Sequence, residues 1–462
     1  MKSLKQILGG DLRQYTMVGA LIALLVAFHI SSGGRMLTSS NMQNLLSGNA
    51  YVLILAIGMV MVIVIGQIDL SVGSVAGVVG MTAALSAKDL GFPWWLAMLA
   101  GLAVGTLIGA WQGFWLAKIG IPGFITTLAG MMIFRGVVIW MSGSISVPVP
   151  DEFRVLGAGY LPEWGPAFTQ MNNSTLVLGV LGIGVFAWSE LRRRQRTLAL
   201  GAEVPPIWVA AVRFSVVAIV IGYVTWLFAS GRPGTSFPIP GLILAALVII
   251  YHIITQRTTF GRHVYAVGGN KAAAALSGVN TKRTYFLVMM NMSFLAALAG
   301  ILFVGRSTAA GPSDGVSWEL DAIAAVFIGG AAVSGGIGTV IGSIVGGLVM
   351  AVLNSGLSLM GVGADKTQII KGLVLLAAVA FDVYNKQQGR PSITGRLFGP
   401  KPPVAVGGAV APVLVPDPIV DLSSSLTPPS AVQDAPITPA SGSPGSTGWG
   451  SPGDTGSPGR QP

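Results

Sequence analysis

QRTTFGRHVYAVGGNKAAAALSGVNTKR, residues Gln256–Arg283, is the one long polar stretch in the last third of this chain. Apolar runs adjoin it on both sides, Pro240–Ile254 before it and Thr284–Gly305 after it. The stretch carries Arg257, Arg262, Lys271, Lys282 and Arg283. A basic connection between two apolar runs reads as the cytoplasmic loop between two membrane-spanning helices, because Lys and Arg collect on that side of a bilayer.

The rest of the chain repeats the theme. Of 462 residues, 52% are hydrophobic and 10% charged, and the mean hydropathy is +0.72. Soluble domains carry about 25% charged residues, so an ordinary soluble globule is excluded. Long apolar runs call for an all-α, polytopic integral membrane protein of about 10–12 transmembrane helices, since helices satisfy their own backbone in lipid. The 64 glycines suit close helix packing. A β-barrel would show short alternating segments instead. The net charge of +10 reads as a topology signal rather than a nucleic-acid footprint, because the basic residues sit at span ends. With no cysteine, thiolate chemistry, disulfides and Cys-ligated metals are excluded.

Twelve candidate spans follow from the apolar runs: Met17–Ile30, Val52–Gly66, Val72–Leu85, Trp94–Leu116, Thr126–Trp140, Leu176–Leu191, Trp208–Phe228, Pro240–Ile254, Thr284–Gly305, Ala322–Ala332, Thr339–Met360 and Ile369–Phe381. Several are shorter than the ~17 residues a crossing needs, which marks them as candidates for broken or re-entrant spans. With the N-terminus inside, the inner segments hold fifteen Lys and Arg, including Arg192, Arg193, Arg194 and Arg196. The outer loops hold six: Arg35, Lys88, Arg154, Arg232, Arg306 and Lys366. This asymmetry puts both termini in the cytoplasm. The domain reading is a cytoplasmic N-terminus over 1–16, a membrane domain over 17–384 and a tail over 385–462. The first apolar run reads as an uncleaved anchor, since no small-x-small site follows His29. The Pro/Gly/Ser-rich tail cannot bury enough apolar surface to fold and reads as a disordered cytoplasmic extension.

Within the opening stretch, Gly268 and Gly269 break the preceding structure, and Asn270 suits a helix N-cap. Lys271, Ala272, Ala273 and the alanines to Leu276 favour helix, Ser277 ends it, and Gly278 suits the left-handed position after it. Such a short rod needs a partner to pack against, with Leu276 as its apolar anchor.

Elsewhere, Asp69 in Gln67–Ser74 is costly between apolar spans unless it meets an interface, water or a helix start. With Ser71 and Ser74, it reads as a helix-start cap at a break between spans, ahead of direct ligand contact. Trp318, Glu319 and Asp321 follow the loop Ser307–Trp318, placed at the outer mouth. Carboxylates and an aromatic face can hold a polar ligand; capping of the following span and docking of another protein stand beside that reading. Arg135 either snorkels outward or pairs inside, and Asn354 either lines a path or joins helices. The glycine-rich run Gly329–Gly347 has no lysine to hold phosphate and reads as close packing or a hinge.

Five motifs, GQIDLSVGSVAGVVG (Gly66–Gly80), GFITTLAGMMIFRG (Gly123–Gly136), GRHVYAVGGNKAAAALSGVN (Gly261–Asn280), ELDAIAAVFIGGAAVSGGIGTVIG (Glu319–Gly342) and LNSGLSLMGV (Leu353–Val362), occur in the order found in the permease subunits of bacterial ABC sugar importers. The chain resembles that family, of ribose/xylose type, over roughly residues 45–385. GAWQGFWLAKIGIPGFITTLAG and an extra pair of spans between Leu176 and Phe228 draw it toward the xylose branch. The resemblance implies a permease subunit for D-xylose or a related pentose in the bacterial inner membrane. It implies three partners: a second permease subunit as a homodimer, a cytoplasmic ABC ATPase, and an extracytoplasmic sugar-binding protein. Nucleic acid is not among them.

The resemblance makes Gly268–Ser277 with Gly278 the ATPase-coupling element. Relatives place an acidic residue near that helix's start and a basic one near its end, where this chain has Lys271 and Ala275. The translocation path or gate falls to Asp69, Ser71, Ser74, Arg135, Trp318, Glu319, Asp321 and Asn354. No catalysis, cofactor or metal is expected of the chain itself: it has no GxxxxGK[ST] loop, so nucleotide must be bound elsewhere. The alternative is an ion-coupled secondary transporter, which would recruit Asp69, Asp321, Arg135 and Lys371. An intramembrane enzyme or metal site fares worse, because His263 lies in the polar loop while His29 and His252 fall near opposite ends of the bilayer.

Overall fold

A computed structural model describes the backbone of residues 12–387, apart from 167–169, 202, 203, 205 and 233, and the side chains between 17 and 380. The N-terminal stretch before residue 12 and the tail beyond residue 387 lie outside the described residues.

The described chain is helical almost throughout, and its first five helices are α1 (Leu12–Ser31), α2 (Ser39–Val64), α3 (Val72–Lys88), α4 (Trp94–Phe114, with a π-turn to Ile119) and α5 (Gly123–Ser142). Then come a short α6 (Asp151–Ala158), the hairpin α7 (Asn173–Ala199) and α8 (Ile207–Ala229), and α9 (Ile239–Arg257). The polar stretch forms α10 (Thr259–Gly269) and α11 (Lys271–Leu276). Last are α12 (Thr281–Ser307), α13 (Trp318–Ile328), α14 (Val340–Leu359) and α15 (Ala364–Gln387). Two-residue strands, Val147–Pro148 and Ala309–Ala310, pair antiparallel. Among the described residues, eight helices are long and apolar enough to cross a membrane.

The core is built on α2 and α12. From Val52 to Ile65 the whole circumference of α2 is buried, as expected of an apolar helix enclosed by others. The two run antiparallel, since Tyr285 near the start of α12 donates to the Ile65 carbonyl and Tyr51 stacks edge-on against Phe303 at 5.1 Å. Glycines let α4 lie against this pair. Gly101, Gly105, Gly109 and Gly113 recur every fourth residue, so they share one face of α4. A methyl on Gly105 would stand 2.6 Å from Ala297 Cβ, and one on Gly109 2.7 Å from Ser293 Cβ. That is the small-xxx-small device of membrane helix pairs.

The α7–α8 hairpin is peripheral and largely exposed. It is pinned by Gln43 Nε2 donating to the Phe228 carbonyl (3.2 Å), and tied within itself by the Glu190–Arg213 pair.

Two of the twelve expected crossings are broken. After α2 ends, residues 65–71 climb beside α5: Gln67 Oε1 accepts from Gly123 N (2.9 Å) and Thr127 Oγ1 donates to the Ile68 carbonyl (3.1 Å). Ser71 Cβ lies close to Gly130, seven residues, or about 10 Å, along α5. Only there does α3 begin. Likewise, segment 308–317 turns back from the end of α12 before α13 begins. The run Ala322–Ala332, read as a span, is therefore not one helix: only its first seven residues are helical, as the end of an 11-residue half-helix about 16 Å long.

Candidate functional site

The helices α3 and α13 meet head to head. Gly73, in the first turn of α3, faces Gly315 so closely that a Cβ on either would collide with the other's carbonyl oxygen. Their positive N-terminal ends therefore converge at one place inside the protein, and carboxylates gather there as the helix dipoles favour. Asp69 is fully buried; its Oδ1 accepts from Ser71 N (2.8 Å) and Ser71 Oγ (2.6 Å). Gln112 Nε2 donates to Ser71 Oγ (2.7 Å). Glu319 Oε2 stands 2.7 Å from where a Gly73 Cβ would be. On the outer flank, Arg135 donates to the Asp314 carbonyl (2.7 Å), and Lys371 pairs with Asp321 Oδ1 (2.6 Å).

Around the start of α3, Asp69 Oδ2, Ser74 Oγ, Gln112 Oε1 and Glu319 Oε2 are buried without a hydrogen-bond partner in the described structure. An unpaired buried polar group costs about 1–3 kcal/mol. Close glycine packing brings the two backbones together there.

The second cluster lies on the face carrying the basic loop. Asn270 leaves helical geometry (φ −154°, ψ 103°), and its Oδ1 accepts from Ala273 N (2.9 Å), capping α11. Gly278 adopts φ +84° and closes it. Ala274 turns inward, Lys271 Nζ sits 5.0 Å over the Tyr285 ring, and Leu276 is 90% exposed. Beneath α11, Gly336 N donates to the Val64 carbonyl (2.8 Å) and Tyr265 Oη to that of Gly338 (2.6 Å). Burial pushes the Tyr265 phenol up, so it stays a neutral donor.

Several sequence readings change. Gly268 and Gly269 do not break the chain: helix α10, unforeseen, runs through both. The reason for Gly268 is proximity, since a Cβ there would strike the Val64 carbonyl. Neither Ser71 nor Ser74 caps α3 with its side chain; Asp69 shapes the turn instead. Trp318 and Glu319 are not at an outer mouth, because segment 308–317 turns back and both are buried, with the Trp318 ring tilted against Tyr51 at 4.2 Å. Arg135 takes the paired alternative. Gly329 and Gly346 of the glycine run pack against Gly342 and Ala325.

The junction gathers Asp69, Ser71, Ser74 and Glu319, with Trp318, Asp321 and Arg135 on its flanks. Asn354 is half-buried on α14, joined to the junction by no hydrogen bond among the described residues. Sequence reasoning gave no role to Gln67, Gln112 or Asp314. A glutamine inside the apolar run of α4 was the available signal for Gln112. Asp314 meets Arg135 through its backbone carbonyl, which no residue type signals, while its Oδ2 accepts from Gly311 N (2.8 Å).

Comparison with known proteins follows the same lines. The profile of a family described as "Branched-chain amino acid transport system / permease component" matches residues 41–379. The xylose transport system permease protein XylH of Escherichia coli K12 is 38% identical over 82% of this chain and 93% of its own length. That of Haemophilus influenzae is 37% identical over 82% of this chain and 98% of its own. The ribose import permease protein RbsC of Escherichia coli K12 is 33% identical over 80% and 94%. No solved structure matches significantly. A match of this extent, running through both broken helices and the basic loop, means that the chain belongs to this family of permease components and stands with its xylose- and ribose-type members.

Proposed function

We propose that this chain is the membrane permease subunit of an ATP-binding-cassette importer that carries D-xylose or a related pentose across the cytoplasmic membrane. The carrying observation is the continuous similarity to a xylose permease over 82% of the chain. Two copies enclose the path, separate cytoplasmic ATPases supply the work, and an extracytoplasmic binding protein delivers the sugar. The basic face is cytoplasmic, and α11 with Gly268–Gly278 is the ATPase contact. Support for that contact comes from the 90% exposure of Leu276 on a capped helix, a shape suited to a groove in a partner.

The path follows the face where α5, segment 308–317, α13 and α15 come together. Ser313, Val316 and Leu320 are exposed there, and Arg135, Asp314 and Asp321 are partly so. Irregular backbone and charged groups at such a depth are tolerated only against protein or water, not lipid. A second copy across a polar path satisfies that requirement.

The test is reconstitution of the chain with its ATPase and binding protein in proteoliposomes. ATP-dependent pentose uptake is expected. Undiminished uptake without the ATPase, driven by a proton or sodium gradient, would overturn the reading in favour of a secondary transporter.

A further inference from the structure

We infer that the Lys371–Asp321 ion pair is a latch on a rigid rod, α13, closed in the conformation described and released as the path opens; this rests on the permease reading above. Three observations carry it.

The rod has a joint at each end. Before α13, Gly315 (φ +82°) and Ser317 (φ +66°) are left-handed; after it, Gly330 (φ +88°), Gly335 (φ +78°) and Gly336 (φ +76°) are. The 11-residue helix between them moves as a unit when such positions absorb the change, as hinges in transporters and enzymes do.

The far joint is gripped by the loop expected to meet the ATPase. Gly336 donates to Val64 and crowds Gly268 and Gly269, and Tyr265 of α10 holds the Gly338 carbonyl. A displacement of α10 and α11 therefore reaches the 335–338 turn directly.

The near end is held by groups that polyols can replace. Lys371 Nζ lies 2.6 Å from Asp321 Oδ1, with the side chains 22% and 13% exposed. On the other flank, Arg135 binds the Asp314 carbonyl. Arg135 is 12 residues from the start of α5 and Lys371 seven from the start of α15, or about 18 and 10 Å from opposite ends. In a core of about 30 Å the two cations sit at about one level and clamp one corner. Sugar hydroxyls both donate and accept, so they can take over the partners of Asp321 and Lys371 as the pair separates. A push at the basic face thus turns α13 about its joints, and the ion pair sets how easily its near end lets go.

The test uses the full complex in proteoliposomes. D321N and K371M are expected to raise ATP-independent pentose leak about tenfold, the scale of a typical coupling energy, and the swap D321K/K371D to restore tightness. Because the chain has no cysteine, spin labels on L320C and L373C, 48% and 60% exposed, report the α13–α15 separation; widening on ATP addition is expected. Variants that melt like the wild type and leak no more than it does would overturn the latch, as would a label distance unchanged in every nucleotide state. Should a neutral variant fail to fold, K371R and the label pair carry the test. Failure of the wild-type complex to show ATP-dependent uptake would instead count against the permease reading, and the label distance would still decide the latch.

Discussion

Gly73 and Gly315 stand backbone to backbone at the point where α3 and α13, of opposite direction, begin, with no room for a methyl group on either. That contact brings the carboxylates of Asp69 and Glu319 and the amide of Gln112 together. It also decides the depth at which α3 and α13 start.

Adding a methyl at this contact is expected to be costly. G73A should destabilise the protein by about 1–3 kcal/mol through overpacking against fixed backbone. G315A adds about 1–2 kcal/mol for its left-handed conformation. G136A, with nothing within 4 Å of a new Cβ, is the matched control and should be neutral. Thermal melting of the detergent-purified chain checks all three, and equal melting temperatures would refute the packing account.

Asp69 acts in the structure as an acceptor for Ser71. D69N keeps an acceptor oxygen for both Ser71 bonds and should fold, whereas D69A leaves the Ser71 amide and hydroxyl without it and should lose about 1.5–3 kcal/mol, the range for hydrogen bonds to a charged group. The ordering of denaturation midpoints, D69N above D69A, is the measurement.

Leu276 and Asn270 separate coupling from folding. Because Leu276 is almost wholly exposed, L276D should leave insertion and melting unchanged while abolishing sugar-stimulated ATP hydrolysis by the complex. N270A removes the cap on Ala273 N and should cost about 1 kcal/mol, loosening α11 and lowering stimulation in part. Stimulated hydrolysis in L276D equal to the wild type would remove α11 from the coupling interface.

Orientation can be read with single cysteines, since the native chain has none. L276C should react with an impermeant maleimide only in inside-out vesicles, and W164C, 72% exposed in the loop before α7, only in right-side-out ones. The opposite pattern would reverse the assigned sides.

Most of the fold was legible because hydropathy is a local property. Each long run, such as Trp94–Leu116 or Thr284–Gly305, is apolar over enough residues to cross a bilayer whatever surrounds it. Asn270 and Gly278 were equally legible, since capping and left-handed closure are settled within one helical turn. The candidate site was legible only in residue type. Asp69 and Glu319 stood out as charges among apolar neighbours, but they are about 250 positions apart, and nothing local says that they meet.

By itself, then, the sequence determined the class of protein, the order of its spans, the basic face and the short capped helix on that face. Tertiary structure alone decided that α3 and α13 start deep inside the protein, that Trp318 and Glu319 are buried rather than at a mouth, and that Lys371 finds Asp321. The physical reason is that a span and a half-span have the same composition. Where a helix starts across the membrane depends on what packs against its first turn, and here that is a glycine from the far end of the chain.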